Sequence, residues 1–186
     1  MEIFLIVFAI LVLVAVYVIY LYNSLVRSRQ LAAEGWSGID VQLKRRADLI
    51  PNLVNTLRGY ATHEKGTLDA VVTARNHALS LSGGDVAGRA VAEGALGQAL
   101  GKLFALAESY PDLKASENFL SLQTSLETLE REIQMARRYY NGAARDLNIQ
   151  IESIPSSFVA ARFGFTKQTY FEIADAADRV LPEVSL

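Results

Sequence analysis

The chain has 186 residues, and its 18 Lys and Arg against 20 Asp and Glu give a formal net charge of −2. This balance argues against a broadly basic surface of the kind that binds nucleic acid. Cysteine is absent, which excludes disulfides, thiolate metal sites and a cysteine nucleophile, and we expect no cofactor. Four prolines leave long stretches free for uninterrupted helix, so composition favours an all-α protein.

An apolar segment lies at the start of the chain. Residues 3–22 carry no charge and match the roughly 20 residues that a helix needs to cross a bilayer. A cleaved signal peptide would need a positively charged start and a small-residue cleavage site, whereas Glu2 precedes this segment and bulky residues end it. We therefore predict a transmembrane anchor over residues 1–22 and a helical bundle domain over residues 23–186.

The residues at the end of the anchor predict its orientation. Tyr17, Tyr20 and Tyr22 suit an interfacial aromatic belt, and Arg27 and Arg29 follow within reach of lipid headgroups. Because positive charge flanks only this side, the positive-inside bias predicts that the N-terminus lies outside the membrane and the C-terminal domain in the cytoplasm.

Helical periodicity continues beyond the anchor. Apolar residues recur at spacings of three and four over residues 23–79, which predicts one long helix or two abutting ones. Pro51 removes a backbone donor, so we expect either a kink near residues 47–50 or a break with Asp48 as N-cap. The Ser- and Gly-rich residues 80–88 predict a loop with an aspartate that caps the next helix.

An alanine- and glycine-rich helix is predicted over residues 86–110, with Pro111 ending it. One face of this helix carries small side chains beside a stripe of leucines. The small residues are Ala90, Gly94, Gly97 and Gly101. Each glycine costs about 1 kcal/mol relative to alanine in a helix, so this face indicates either close packing against a neighbour or a marginally stable helix.

The clearest periodicity follows Pro111. Apolar residues alternate at spacings of three and four in a near-continuous heptad stripe. They are Phe119, Leu122, Leu126, Leu129, Ile133, Ala136, Tyr140, Ala143, Leu147, Ile151 and Ile154. A helix over residues 113–153 would be about 60 Å long and could bury this stripe only against other helices. The pattern predicts an elongated antiparallel coiled bundle of three to four helices, then a short helix near residues 157–162 and an aromatic cluster around Gly164.

Three segments of the chain resemble the LemA family of bacterial proteins. They are YNSLVRSRQLAAEGWSGIDVQLKRRADLIPNLVNTLRGYATHEKGTL at residues 22–68, ALAESYPDLKASENFLSLQTSLETLEREIQMARRYYN at residues 105–141, and IESIPSSFVAARFGF at residues 151–165. Their order and the preceding anchor also match, so the resemblance covers nearly the whole chain. It implies a transmembrane helix, a helical bundle and an outside N-terminus, but no activity. Gly35 is a departure, since the family usually has alanine before the tryptophan.

Catalytic motifs are weak in this sequence. His63 and Glu64 suggest the helix of a zinc protease, but that motif needs a second histidine where Thr67 stands, and His77 lies too far along. Trp36 is better interpreted as a core or interfacial packing residue than as a platform for a ligand.

A group of polar residues follows Trp36. Arg45, Arg46, Asp48 and Asn52 could form a surface that docks a partner or another copy. Read in heptads, Arg46 instead falls in the apolar seam, where a charge needs a partner or an exit to water. A structural ion pair and a docking role are therefore both open for Arg46.

Two hypotheses of function follow from these patterns. The first is a non-enzymatic scaffold anchored in the bacterial inner membrane, whose partners are the lipid bilayer and either further copies of itself or another membrane protein, and not nucleic acid. Its candidate contact residues are Trp36, Arg45, Arg46, Asp48, Asn52, Gly94, Gly97 and Gly101. The alternative is a regulatory subunit of a membrane protease or of an ion-driven transport complex.

Overall fold

The computed structural model of the chain describes residues 1–61, 64–81 and 85–172. Within these ranges it contains helices and no strand, so the predicted all-α fold is confirmed. The helices are α1 (Glu2–Arg58), α2 (Lys65–Ser80), α3 (Val86–Ala107), α4 (Pro111–Lys114), α5 (Glu117–Glu152) and α6 (Ser156–Phe163).

The contacts divide the chain into two compact units. Unit 1 contains residues 1–37 and 137–170, and unit 2 contains residues 38–136 with Phe171. Helices α1 and α5 each contribute to both units.

The first part of α1, up to residue 22, is the predicted anchor. Among the described helices, α1 alone is long and apolar enough to cross a membrane, and the described residues bury none of its most apolar 18-residue stretch. Apart from Val18, Leu21 and Tyr22, which are half-buried, the side chains of residues 3–22 are exposed. A stretch of about 30 Å of exposed apolar helix is suited to lipid and not to water.

The alternative of a break at Asp48 is wrong, because α1 continues through Pro51 and ends only at Arg58. Proline cannot donate to the carbonyl four residues earlier, which here belongs to Ala47. The Nε of Arg75, on α2, donates to this carbonyl oxygen at 2.7 Å. A side chain from another helix therefore replaces the missing backbone bond.

The loop before α3 forms as predicted at its described end. Asp85 is the N-cap, and its Oδ1 accepts a hydrogen bond from the backbone N–H of Gly88 at 2.8 Å. The long helix predicted over residues 113–153 is divided, because Pro111 starts the separate short helix α4 and α5 begins at Glu117. Proline suits the first turn of a helix, where its N–H would have no partner.

Unit 2 is built on an aliphatic core to which α1, α2, α3, α4 and α5 all contribute. Its buried members include Ile50, Leu53 and Leu57 of α1, Leu68 and Val71 of α2, Leu96, Leu100 and Leu103 of α3, Leu113 of α4, and Phe119 and Leu126 of α5. The predicted stripe of α5 thus faces the core. All its members are buried or half-buried except Ile154, which lies beyond the end of α5 and is 80% exposed.

Unit 1 has a smaller core, made by Leu25, Leu147, Val159, Ala160 and Phe165. Its α6 confirms the predicted short helix and ends at Gly164, whose φ of 71° is the left-handed conformation that favours glycine. The chain after Gly164 runs back along α5, where side chains bind its backbone. The aromatic cluster predicted here is only partly buried, because Phe165 is covered whereas Phe163 and Tyr170 are exposed.

Candidate functional site

A group of charged side chains lies within unit 2, and we refer to it as the ionic cluster. Its members are Asp40 and Arg46 of α1, Arg89 and Glu93 of α3, and Glu130 of α5. Arg46, Arg89 and Glu93 are each at most 5% exposed. Asp40 and Glu130 lie at the rim, with nearly half of each side chain accessible to solvent. The cluster joins three helices that are distant in sequence.

Glu93 binds both arginines of the cluster. Its Oε1 accepts a hydrogen bond from Nε of Arg89 at 2.9 Å, and its Oε2 accepts one from Nη2 of Arg46. Arg46 also donates from Nη1 to Glu130 at 2.9 Å. Nη2 of Arg89 lies 4.0 Å from Oδ1 of Asp40. Each arginine therefore has the central carboxylate and one carboxylate at the rim.

The position of the central pair follows from the geometry of α3. Residues four apart lie on the same helix face, so Arg89 and Glu93 are adjacent along the helix. The same face continues through Leu96 and Leu100 into the aliphatic core. Both charged side chains are therefore carried inward with the leucines.

The centre of the ionic cluster is closed to a substrate. A general acid or base must come within hydrogen-bond reach of the reacting group, and Glu93 is 1% exposed. In the described part of the chain, Nε of Arg46 and Nη1 of Arg89 are buried donors without a hydrogen-bond partner. Because removing one partner of a buried pair leaves a charge uncompensated, the cluster holds α1, α3 and α5 in one alignment.

For Arg46, the ion pair is the interpretation that the contacts support. The heptad pattern placed this residue in the apolar seam and required a partner, and it has two. The sequence prediction missed Arg89 and Glu93. A signal was present, because both extend the leucine stripe of α3 at the same spacing of three and four.

The other polar candidates of α1 lie on its surface. Arg45 is exposed and donates from Nη1 to Glu132 at 3.0 Å and to Gln42 at 2.9 Å. Asp48 and Asn52 are exposed, and the backbone carbonyl of Asn52 accepts a bond from the Thr56 hydroxyl. Within unit 2 these side chains are accessible to a partner, and their interaction role stays a prediction.

The glycines of α3 differ from one another in their surroundings. Gly94 is half-buried, whereas Gly97 and Gly101 are exposed. A methyl group added at Gly97 or Gly101 would meet no atom within 4 Å. Close packing of this face against a neighbouring helix of the same chain is therefore not found at those two positions.

Trp36 lies in unit 1, half-buried, with its ring centre 5.7 Å from that of Tyr140. The preceding Gly35 allows α1 and α5 to approach, since a Cβ there would lie 2.9 Å from the Cα of Tyr140. The Tyr140 hydroxyl donates to the carbonyl of Thr169 at 2.7 Å. Burial raises the pKa of the Tyr140 phenol above its ordinary value.

The predicted interface residues lie around the end of the anchor. Tyr17 and Tyr20 are exposed, while Tyr22 is half-buried and makes edge-to-face contact with Phe163, the ring centres being 4.9 Å apart. Arg27 is exposed, and the guanidinium of Arg29 lies 5.0 Å from the ring centre of Phe165.

No group of three or more potential metal ligands occurs among residues 1–61, 64–81 and 85–172. His77 is exposed, and His63, on which the zinc-protease motif would depend, lies outside the described residues.

Comparison with known proteins gives a consistent result. The sequence model of the LemA family matches residues 35–186. Magnetosome protein MamQ 1 and MamQ 2 of Paramagnetospirillum magneticum are each 28% identical over 181 residues, an alignment that covers 84% of this chain and 66% of theirs. Protein LemA of Metamycoplasma hominis is 29% identical over 176 residues, covering 94% of this chain and 80% of its own. The chain thus spans slightly less than two thirds of the MamQ proteins.

Proposed function

Because the chain belongs to the LemA family, and is a helical, membrane-associated protein, we propose that it is a scaffold anchored in the bacterial inner membrane. In this proposal it binds further copies of itself and has no catalytic activity of its own. The N-terminus lies outside and the helical domain in the cytoplasm. The observation that carries the proposal is α1, a single helix that begins as an exposed apolar anchor and ends as part of the aliphatic core.

The anchor supports a function based on contact. It confines the domain to the membrane plane and raises its local concentration, so weak contacts between copies become sufficient. The exposed Tyr17 and Tyr20 suit a membrane interface, and the following Arg27 and Arg29 support the proposed orientation, since basic residues favour the cytoplasmic side.

The outer surface of α3 supports self-association. Two helical glycines, Gly97 and Gly101, reduce helix stability by about 1 kcal/mol each relative to alanine, and within the described chain a methyl group added at either would meet no atom within 4 Å. A second helix from another copy could use that space, and Val91, which is 71% exposed, lies on the same helix. Close approach at small residues is a common way for helices to pack in pairs.

The relatives support a role at a membrane without naming a reaction. MamQ is described as a magnetosome protein, and neither its name nor that of Protein LemA gives an activity. Among the described residues of this chain, the buried charges are enclosed in unit 2, where they bind one another.

Cross-linking in membranes tests the proposal, because the chain has no native cysteine. We expect Gly97→Cys to form a disulfide-linked dimer on mild oxidation of membrane vesicles. The control is Lys114→Cys on α4, whose side chain is 57% exposed but which lies outside the proposed contact. Equal cross-linking at both positions, or a full-length chain that is monomeric in lipid nanodiscs at every concentration, would contradict self-assembly.

A further inference from the structure

Helix α6 has one covered face and one open face. Ser156, Val159 and Ala160 are buried against unit 1. Phe158 is 69% exposed and Arg162, four residues later, is also exposed. Since residues four apart share a helix face, a phenyl ring and a guanidinium lie together on the outward side. We call this side, with the preceding Ile154, the α6 surface.

The segment around α6 exposes further large apolar side chains. Ile154 is the last member of the heptad stripe and yet is 80% exposed. Phe163, at the end of α6, is 53% exposed although it contacts Tyr22. Large apolar side chains exposed together on one short segment are typical of a surface that binds a membrane or another protein.

Contacts with α1 place α6 at a defined depth relative to the anchor. Val159 and Ala160 belong to the core of unit 1, and Val18, Leu21 and Tyr22 pack against that core. These three residues form the last turn of the apolar segment. Val18 precedes Tyr22 by four residues, so the core of unit 1 reaches about 6 Å along α1 into the segment that crosses the bilayer.

An element packed around the last turn of a membrane-spanning helix lies in the layer of lipid headgroups. Apolar side chains of interfacial helices are buried there to a depth of about 5–10 Å. The exposed basic residues nearby, Arg27, Arg29 and Arg162, are complementary to the anionic lipids of such a layer.

We infer that the α6 surface binds the headgroup layer of the same membrane, with Ile154 and Phe158 inserted among the lipids. The contact adds a second attachment to the transmembrane helix and fixes how unit 1 is oriented on the bilayer. This inference rests on the proposed membrane anchor.

Spin labels on single cysteines test the depth of α6 in the full chain. The protein is reconstituted into nanodiscs of phosphatidylethanolamine and phosphatidylglycerol, with one label at Phe158→Cys, Tyr139→Cys or Val12→Cys. Position 139 is the matched control, because Tyr139 is also an exposed aromatic of unit 1 but lies beside Gly35, about 20 Å along α1 beyond Tyr22.

Collisions with oxygen, which enriches in lipid, and with a water-soluble nickel complex report the depth of each label. We expect the ratio of the two collision rates to favour oxygen at positions 12 and 158 and to reverse at position 139. A label at 158 as accessible to nickel as the one at 139 would overturn the inference, as would a label shielded from both reagents, which indicates cover by a second copy. In either case an oxygen-exposed label at 12 leaves the anchor intact, whereas an aqueous label at 12 removes the anchor and this inference together.

Discussion

The two units differ in the polar groups that they bury. In unit 2 the buried polar side chains are charged, namely Arg46, Arg89 and Glu93, whereas in unit 1 they are neutral. The neutral ones are Ser28, Asn148 and Ser156. The charged groups bind other side chains across three helices. Most hydrogen bonds of the neutral groups go to the backbone. Asn148, for example, accepts a hydrogen bond from the N–H of Gln168 at 2.8 Å and donates one to the carbonyl of Gln168 at 2.9 Å.

This difference shows two ways of specifying a helical protein. A buried carboxylate between two guanidiniums penalises any alignment of α1, α3 and α5 that separates them, because each misplaced charge would be buried alone. Neutral side chains that bind a backbone carbonyl or N–H instead attach the irregular segment after α6 to α5. The buried polar groups of unit 2 thus fix the alignment of helices with one another, whereas those of unit 1 mainly attach a loop segment to a helix.

The largest effect is expected from removing the central carboxylate of unit 2. Glu93→Ala leaves Arg46 and Arg89 without their shared partner, and we expect the free energy of unfolding to fall by about 3–5 kcal/mol. Urea unfolding of the full chain in detergent micelles, followed by circular dichroism, measures it. The control is Glu132→Ala, which breaks the exposed pair with Arg45 and should cost less than about 1 kcal/mol. Equal losses in the two variants would mean that burial of the ionic cluster adds nothing to the free energy of unfolding.

A smaller effect is expected from the close contact of helices in unit 1. In Gly35→Ala the new methyl group would lie 2.9 Å from the backbone of Tyr140, so α1 and α5 must separate, at a cost of about 1–3 kcal/mol. Gly38→Ala, one turn later on the same helix, meets no atom within 4 Å and should stabilise the protein by roughly 0.5–1 kcal/mol. The same unfolding measurement compares them. A Gly35→Ala variant that gains stability, as Gly38→Ala should, would show that Gly35 is not needed for the approach.

The smallest effect is expected from the link between Tyr140 and the segment after α6. Tyr140→Phe removes the hydrogen bond to the carbonyl of Thr169, and we expect a loss of about 1 kcal/mol at neutral pH. Burial raises the pKa of this phenol above its ordinary value of 10.0, so above that pH the unfolded chain loses the proton before the folded chain does. Stability should therefore fall as the pH rises past about 10.

The Phe variant supplies the control for this pH dependence. At each pH, the free energy of unfolding of the Phe variant is subtracted from that of the native chain. The difference isolates the contribution of Tyr140 from those of the other tyrosines. If the difference between the two proteins stayed constant from neutral to alkaline pH, the buried phenol would not be the cause.

The sequence was informative wherever spacing determines structure. The stripe from Phe119 to Ile151 predicted the inward face of α5, and the position of Arg46 in a heptad predicted that it needs a partner. The identity of that partner was not predictable, because Glu93 lies 47 residues away and three-dimensional packing decides which carboxylate arrives. The same limit applies to Ile154, whose spacing agrees with the core but whose position beyond α5 exposes it.

At Pro51, the break that the sequence left open at Asp48 does not occur. The lost backbone bond favours such a break in an isolated segment, and the kink near residues 47–50 stays a prediction. In the folded chain, Arg75 supplies a donor to the carbonyl that proline leaves unpaired, and α1 continues to Arg58. No pattern within α1 carries that information.

Because the Arg75 side chain replaces a backbone donor of α1, the order in which the chain is synthesised affects how α1 forms. A ribosome makes Ala47 and Pro51 before Arg75, which lies 28 residues after Ala47. Until α2 has been made and packs against α1, the Ala47 carbonyl lacks this partner. In the nascent chain, α1 therefore lacks one hydrogen bond until Arg75 has been made and donates to the Ala47 carbonyl.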